Sequence, residues 1–280
     1  MLARALRTAR VGFWLGWQVQ SNWTDPFLFF VYSIARPLGG TLILVFMFYV
    51  VAGGRRGPML DFFVVGAALW PVVVWAMQGL AWGLLEDREH FKTIAYIYTA
   101  PVPFWAYLVG RGLASAVVAL PATVLTLTVG TAVLRVPLIL SPDRLPALAA
   151  AFLLGIAGLV AVGMTIVGAL FLISGEAWRL PDAVGQGLYL LCGAVFPLTV
   201  LPGWLQPLTR LFPVTYWLEA MRRILLPAGA VHSIPGLGDR AVPGALLLAT
   251  GLWVLVAGLA YAAGLARARQ KGILDASTGY

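Results

Sequence analysis

The sequence predicts an all-α polytopic membrane protein, and three observations carry that expectation. The 280 residues are 61% hydrophobic and only 11% charged, with a mean hydropathy of +0.89, more apolar surface than one soluble core of this size encloses. Six stretches are apolar enough to cross a bilayer, whose hydrocarbon core of about 30 Å needs roughly 20 helical residues. The short segments of alternating polarity that mark a membrane β-barrel, each of about ten residues, are absent.

The amino-terminal segment, residues 1–26, reads as an interfacial helix. Arg4, Arg7 and Arg10 are followed by the mixed run VGFWLGWQVQSNWTDP rather than a small-residue cleavage site, unlike a cleavable signal peptide. Trp14, Trp17 and Trp23 suit the headgroup region, and Asp25-Pro26 turns the chain toward the membrane.

The six spans run from Leu28 to Val51, Leu60 to Leu85, Phe104 to Leu134, Leu145 to Ser174, Ala183 to Leu201 and Val242 to Ala266, forming a single transmembrane domain over 1–280. An even number places both termini on one side. Basic residues at both ends, with Arg267, Arg269 and Lys271 at the carboxyl end, favour the cytoplasm for both. The glycines Gly79 and Gly83 in span two, and Gly155, Gly158 and Gly163 in span four, allow close helix approach.

The net charge of +8 fits arginines reaching phosphate headgroups and does not call for nucleic acid. Cys192, the single cysteine, cannot form an internal disulfide. With Lys92 and Lys271 as the only lysines there is no G-x-x-x-x-G-K-[ST] phosphate loop, and neither H-E-x-x-H nor G-x-S-x-G occurs. The chain is therefore expected to be a non-enzymatic subunit. Arg36 and Arg111 are the clear charges within spans, both near enough to an end to snorkel, and no carboxylate lies mid-span to serve a proton- or sodium-coupled carrier.

Two segments depart from this oily background. Glu86, Asp87, Arg88, Glu89, His90, Phe91, Lys92 and Thr93 open a segment, 86–100, read as a short amphipathic helix. The acids would occupy its first turn, favoured by the helix dipole, while Pro101 and Pro103 end it before span three. Such a helix suits docking of a cytoplasmic partner, with Asp87, Phe91, Ile94, Ala95 and Tyr98 on one face and Arg88 and Lys92 spaced i,i+4 on another. The second segment, 202–228, is broken by Pro202, Pro207 and Pro213. Trp204, Leu205, Leu208 and Leu211 form an apolar stripe expected to pack on the bundle, and Glu219 is spaced to pair with Arg222 or Arg223.

The pattern resembles the permease subunits of the ATP-binding-cassette type-2 exporters. In that family an acidic and basic segment after the second span, of the form E-x-E-R-x-x-G-T-L-E, precedes S-P-V/L and then G-R/K at the third span. Here Glu86, Asp87, Arg88, Glu89, Thr93, Ala100-Pro101-Val102 and Gly110-Arg111 stand in matching order, with Lys92, Ile94-Ala95 and Ala100 as departures. FPLTVLPGWLQPLTRLFPVTYWLEAMRRIL, from Phe196 to Leu225, is similar to the family's outer-leaflet helical hairpin before the last span.

The resemblance implies that segment 86–100 is the coupling helix against a separate cytoplasmic ATPase, present in two copies and carrying the ATP and magnesium, with no cofactor in this chain. It also implies a second permease, giving a homodimer in the plasma membrane that works as an exporter; the short outer loops and the few polar groups in the spans favour a hydrophobic or amphipathic cargo, drug or lipid-like. Export of a lipid-linked glycan by the same architecture, and an ATP-independent channel or membrane scaffold, are the competing expectations.

Overall fold

A computed structural model describes residues 2–22, 57–173 and 176–272, with scattered positions between 25 and 50. Most of the first expected span, Arg36 and Trp23 lie outside the described residues. Among the described residues, four helices are long and apolar enough to cross a membrane. They are α2 (Pro58–Leu85), α4 (Phe104–Ala132), α5 (Leu145–Leu170) and α9 (Ala241–Lys271). Shorter helices are α1 (Leu2–Ser21), α3 (Ile94–Thr99), α6 (Arg179–Leu191), α7 (Gln206–Thr209) and α8 (Pro213–Leu225).

Sequence chemistry sets the helix ends. Pro58 and Pro146 stand in the first turns of α2 and α5, where the missing N–H costs nothing. Gly272 closes α9 in the left-handed conformation. Each long helix, with 26 to 31 residues, reaches about 39 Å or more at 1.5 Å per residue. That exceeds the hydrocarbon thickness of about 30 Å, so helix ends project beyond it unless tilted.

Glycines bring the spans together. Side chains added at Gly79 or Gly112 would strike Ser115 or Leu80 between α2 and α4. Gly163 faces the Met77 carbonyl of α2, and Gly168 and Gly264 meet at the crossing of α5 and α9. Gly155 admits the indole of Trp217, and Gly158 lies against Pro213 of α8. The glycines singled out in the sequence therefore serve packing within the subunit.

The amino-terminal helix forms, but its placement adds to the interfacial expectation. Gly12 lies against Tyr107, Gly16 against Arg111 and Ala114, and Gln20 donates to Ser115 at 2.6 Å. The constant sequence offset of 95 along these pairs means that α1 runs parallel to the start of α4. Gly110 in turn lies against the Ala9 carbonyl and the Phe13 nitrogen, and Gly16 against Ala114, so small residues on both helices let the backbones approach.

The fifth expected span, Ala183 to Leu201, is corrected. Its helix α6 has 13 residues, about 20 Å, too short to cross alone. Gly193, at φ 73, and Pro197 then break the chain before a 3-10 turn at Leu198–Val200. The apolar character continues through this break, so hydropathy concealed it.

Segment 202–228 holds two short helices, α7 and α8, but the packing expected of it is corrected. Trp204 is 78% exposed and Leu208 is exposed, so neither fixes the segment to the bundle. The anchor is Trp217, fully buried on α8 and tilted against Phe152 of α5. Pro213 begins α8 and is itself buried.

Candidate functional site

The charged segment is the continuation of α2. After Leu85 the helix widens into a single π turn, Glu86–His90, in which Phe91 N–H donates to the Glu86 carbonyl at 2.8 Å. Lys92 then takes a left-handed φ of 53, and α3 starts at Ile94. The expected helix over 86–100 is therefore two pieces. Its acids lie at the carboxyl end of α2, where the helix dipole disfavours them, instead of in the first turn of a new helix.

Arg111 supplies the compensation. Lying two turns into α4 and only 4% exposed, its guanidinium donates to Glu86 Oε2 at 2.5 Å and stands 3.9 Å from Asp87 Oδ1. Tyr107 Oη, one helical turn earlier, donates to Asp87 Oδ2 at 2.8 Å. Asp87, 3% exposed, thus has both carboxylate oxygens engaged. Arg88 is also buried, donating through Nε to Glu89 at 3.1 Å and through Nη1 to the Leu170 carbonyl of α5 at 3.4 Å. Buried charges need partners of this kind, because desolvation without them is costly.

These contacts tie the ends of α2, α4 and α5 into one knot. Gly83 makes room for the Arg111 side chain. An aromatic collar surrounds it: Phe104 lies near Tyr98, Tyr107 and Phe171, and Phe171 contacts Tyr261 of α9. Arg269 stacks over Tyr98 at 5.0 Å, bringing the carboxyl end of α9 to the same end of the bundle.

What the knot leaves outside is compact. His90 and Phe91 are exposed and meet edge to face at 4.9 Å, Lys92 is exposed, Thr93 is half-buried, and Tyr96 projects from α3. The sequence-derived residues therefore divide in two. Glu86, Asp87, Arg88 and Glu89 face inward to other charged groups, whereas His90, Phe91 and Lys92 form the accessible tip. Phe91, 43% exposed, and Asp87, buried, do not share one amphipathic face as expected.

At the opposite end, α8 carries a second polar cluster. Glu219 is fully buried; it pairs with Arg223 at 2.6 Å and His232 at 3.2 Å, and accepts from the Ser233 N–H at 2.7 Å. Of the two arginines within helical reach, Arg223 takes the pairing. Arg222 instead turns into the bundle, donating to the carbonyls of Phe62 and Ala194 and to Ser233 Oγ. Its guanidinium also lies 3.6 Å from the Phe62 ring centre, a cation–π arrangement.

Sequence reasoning left Arg111 to snorkel and gave Tyr107 no role. A signal was present: an arginine soon after the start of one span follows acids at the end of the preceding span, and an antiparallel pair brings those levels together.

Four helices long and apolar enough to cross a membrane, joined at one end by a paired charge knot with a small accessible tip, define an integral membrane protein. The profile of ABC-2 family transporter proteins matches residues 55–266, and the chain belongs to that family, as a permease of an ABC transporter. Permeases of this family normally work with an ATPase subunit. No curated protein matches the chain.

Proposed function

We propose that the chain is the membrane-spanning half of an exporter, driven by a cytoplasmic ATPase that docks on the His90 to Lys92 tip and the adjoining α3. The observation that carries this reading is the rooting of an exposed turn in the buried Arg111–Glu86–Asp87 knot. A force applied at the tip reaches α2 and α4 together through charged contacts, and α5 through Arg88. A freely solvated loop would dissipate it.

Two ATPases and two permeases would make up the transporter, with ATP and magnesium on the ATPases and both termini of this chain in the cytoplasm. Its membrane would be the plasma membrane. A hydrophobic or amphipathic substrate suits the apolar spans, which expose aliphatic side chains such as Leu153, Leu248 and Leu259. Reconstitution with the cognate ATPase tests this: vesicles should show ATP-dependent movement of a lipophilic dye, and ATP hydrolysis without movement of any hydrophobic probe would contradict the substrate class.

A further inference from the structure

The end of the bundle opposite the charge knot holds a cavity of about 220 Å³, walled by Arg144, Arg222, Arg223, His232, Asp239 and the 226–231 loop. Three arginines line it with Asp239, and the buried Glu219 behind Arg223 offsets a second charge, leaving the cavity net basic. Their hydrogen bonds show which charge is available. Arg222 is committed to Phe62, Ala194 and Ser233. Arg144 uses only Nη1, toward the Ile224 carbonyl at 3.0 Å, so its Nε and Nη2 have no partner among the described residues. Arg223 uses Nε for Glu219 and Nη1 for Asp239, leaving Nη2.

The cavity therefore presents spare guanidinium donors from two different elements. Arg144 stands just before α5, Arg223 lies in the last turn of α8, and the Ile139 N–H bond to the Leu225 carbonyl at 2.8 Å ties the loop preceding α5 to the end of α8. The one carboxylate in the lining is weakly held: the Asp239 side chain is 84% exposed and meets Arg223 alone. It occupies the position an incoming anion would take. Planar guanidinium groups match tetrahedral oxyanions through paired N–H donors.

We propose that this cavity binds a phosphate group, with Arg144 and Arg223 as its ligands and Asp239 as the displaceable internal competitor. The phosphate belongs either to a phospholipid headgroup or to a free phosphate ion. The proposal is independent of ATPase docking, which concerns the other end of the bundle.

Native mass spectrometry of the purified full chain in neutral detergent tests it, using dioleoyl phosphatidylglycerol, dioleoylglycerol as the phosphate-free control, and inorganic phosphate. Phosphatidylglycerol should bind while dioleoylglycerol does not. Arg144→Gln should weaken binding about tenfold, the scale of one charged hydrogen bond. Asp239→Asn, at a side chain 84% exposed, should strengthen it severalfold. The same order of variants with inorganic phosphate assigns the site to the free ion as well; the order seen with lipid alone assigns it to the headgroup. Equal binding of dioleoylglycerol, or affinities unchanged by both substitutions, overturns the proposal.

Discussion

The Arg111 guanidinium of α4 donates to Glu86 at 2.5 Å across the segment that joins two successive spans; Glu86 sits at the helix end whose dipole disfavours it, and Arg111 is 4% exposed. Each is tolerated because of the other. The Glu86 side chain is 37% exposed, but removing Arg111 also leaves the buried Asp87 carboxylate without its cation, so Arg111→Gln should lower stability by about 3 kcal/mol. Thermal unfolding in detergent measures this. Combining Arg111→Gln with Glu86→Gln should restore part of the loss, giving a coupling energy of about 1 kcal/mol or more.

Trp217 and Trp204 should respond oppositely to truncation. Trp217 is fully buried against α5, so Trp217→Ala should cost about 3 to 5 kcal/mol. Trp204 is exposed, and Trp204→Ala should change stability by less than about 0.5 kcal/mol. Unfolding midpoints of the two purified variants provide the comparison.

The register of α1 on α4 depends on close backbone approach. A methyl at Gly110 would meet the Ala9 carbonyl and the Phe13 nitrogen, whereas one at Gly244 of α9 meets nothing. Gly110→Ala should therefore loosen α1 and cost about 1 to 3 kcal/mol, while Gly244→Ala is neutral or slightly stabilising. Limited proteolysis after Arg4, Arg7 and Arg10 should accelerate only in the first variant.

Much of this architecture was legible in the residues. The expected spans at Leu60 to Leu85, Phe104 to Leu134 and Val242 to Ala266 agree closely with α2, α4 and α9 in their starts, because proline and charge stand there as breakers. The fifth span was misread because hydropathy is blind to the backbone breaks at Gly193 and Pro197. The charged segment was placed on a new helix because nothing before Lys92 stops α2; a helix can leave the hydrocarbon without ending. The pairings of Arg111 and Tyr107 are hidden for a different reason. Their partners are 25 and 20 residues away in sequence, and only the antiparallel packing of α2 and α4 joins them.

Topology is directly measurable. The start of α1, the knot and the end of α9 share one end of the bundle, and both flanks are basic. A reporter fused after Tyr280 should be cytoplasmic, and one inserted between Gly229 and Asp239 external. The reverse result would place the tip outside, beyond the reach of a cytoplasmic ATPase.

The most direct measurement is copurification of the cognate ATPase with tip variants of the permease, at low and high salt. Phe91 and Lys92 are exposed and take no part in the buried charge pairs, so Phe91→Ala and Lys92→Glu should leave folding intact. Lys92→Glu should weaken association most at low salt, where charge acts farthest, and Phe91→Ala should weaken it with little dependence on salt. Both should lower transport-coupled ATP hydrolysis in proportion. Undiminished association and hydrolysis in both variants, with wild-type unfolding midpoints, would contradict the account and leave the tip an ordinary solvated turn.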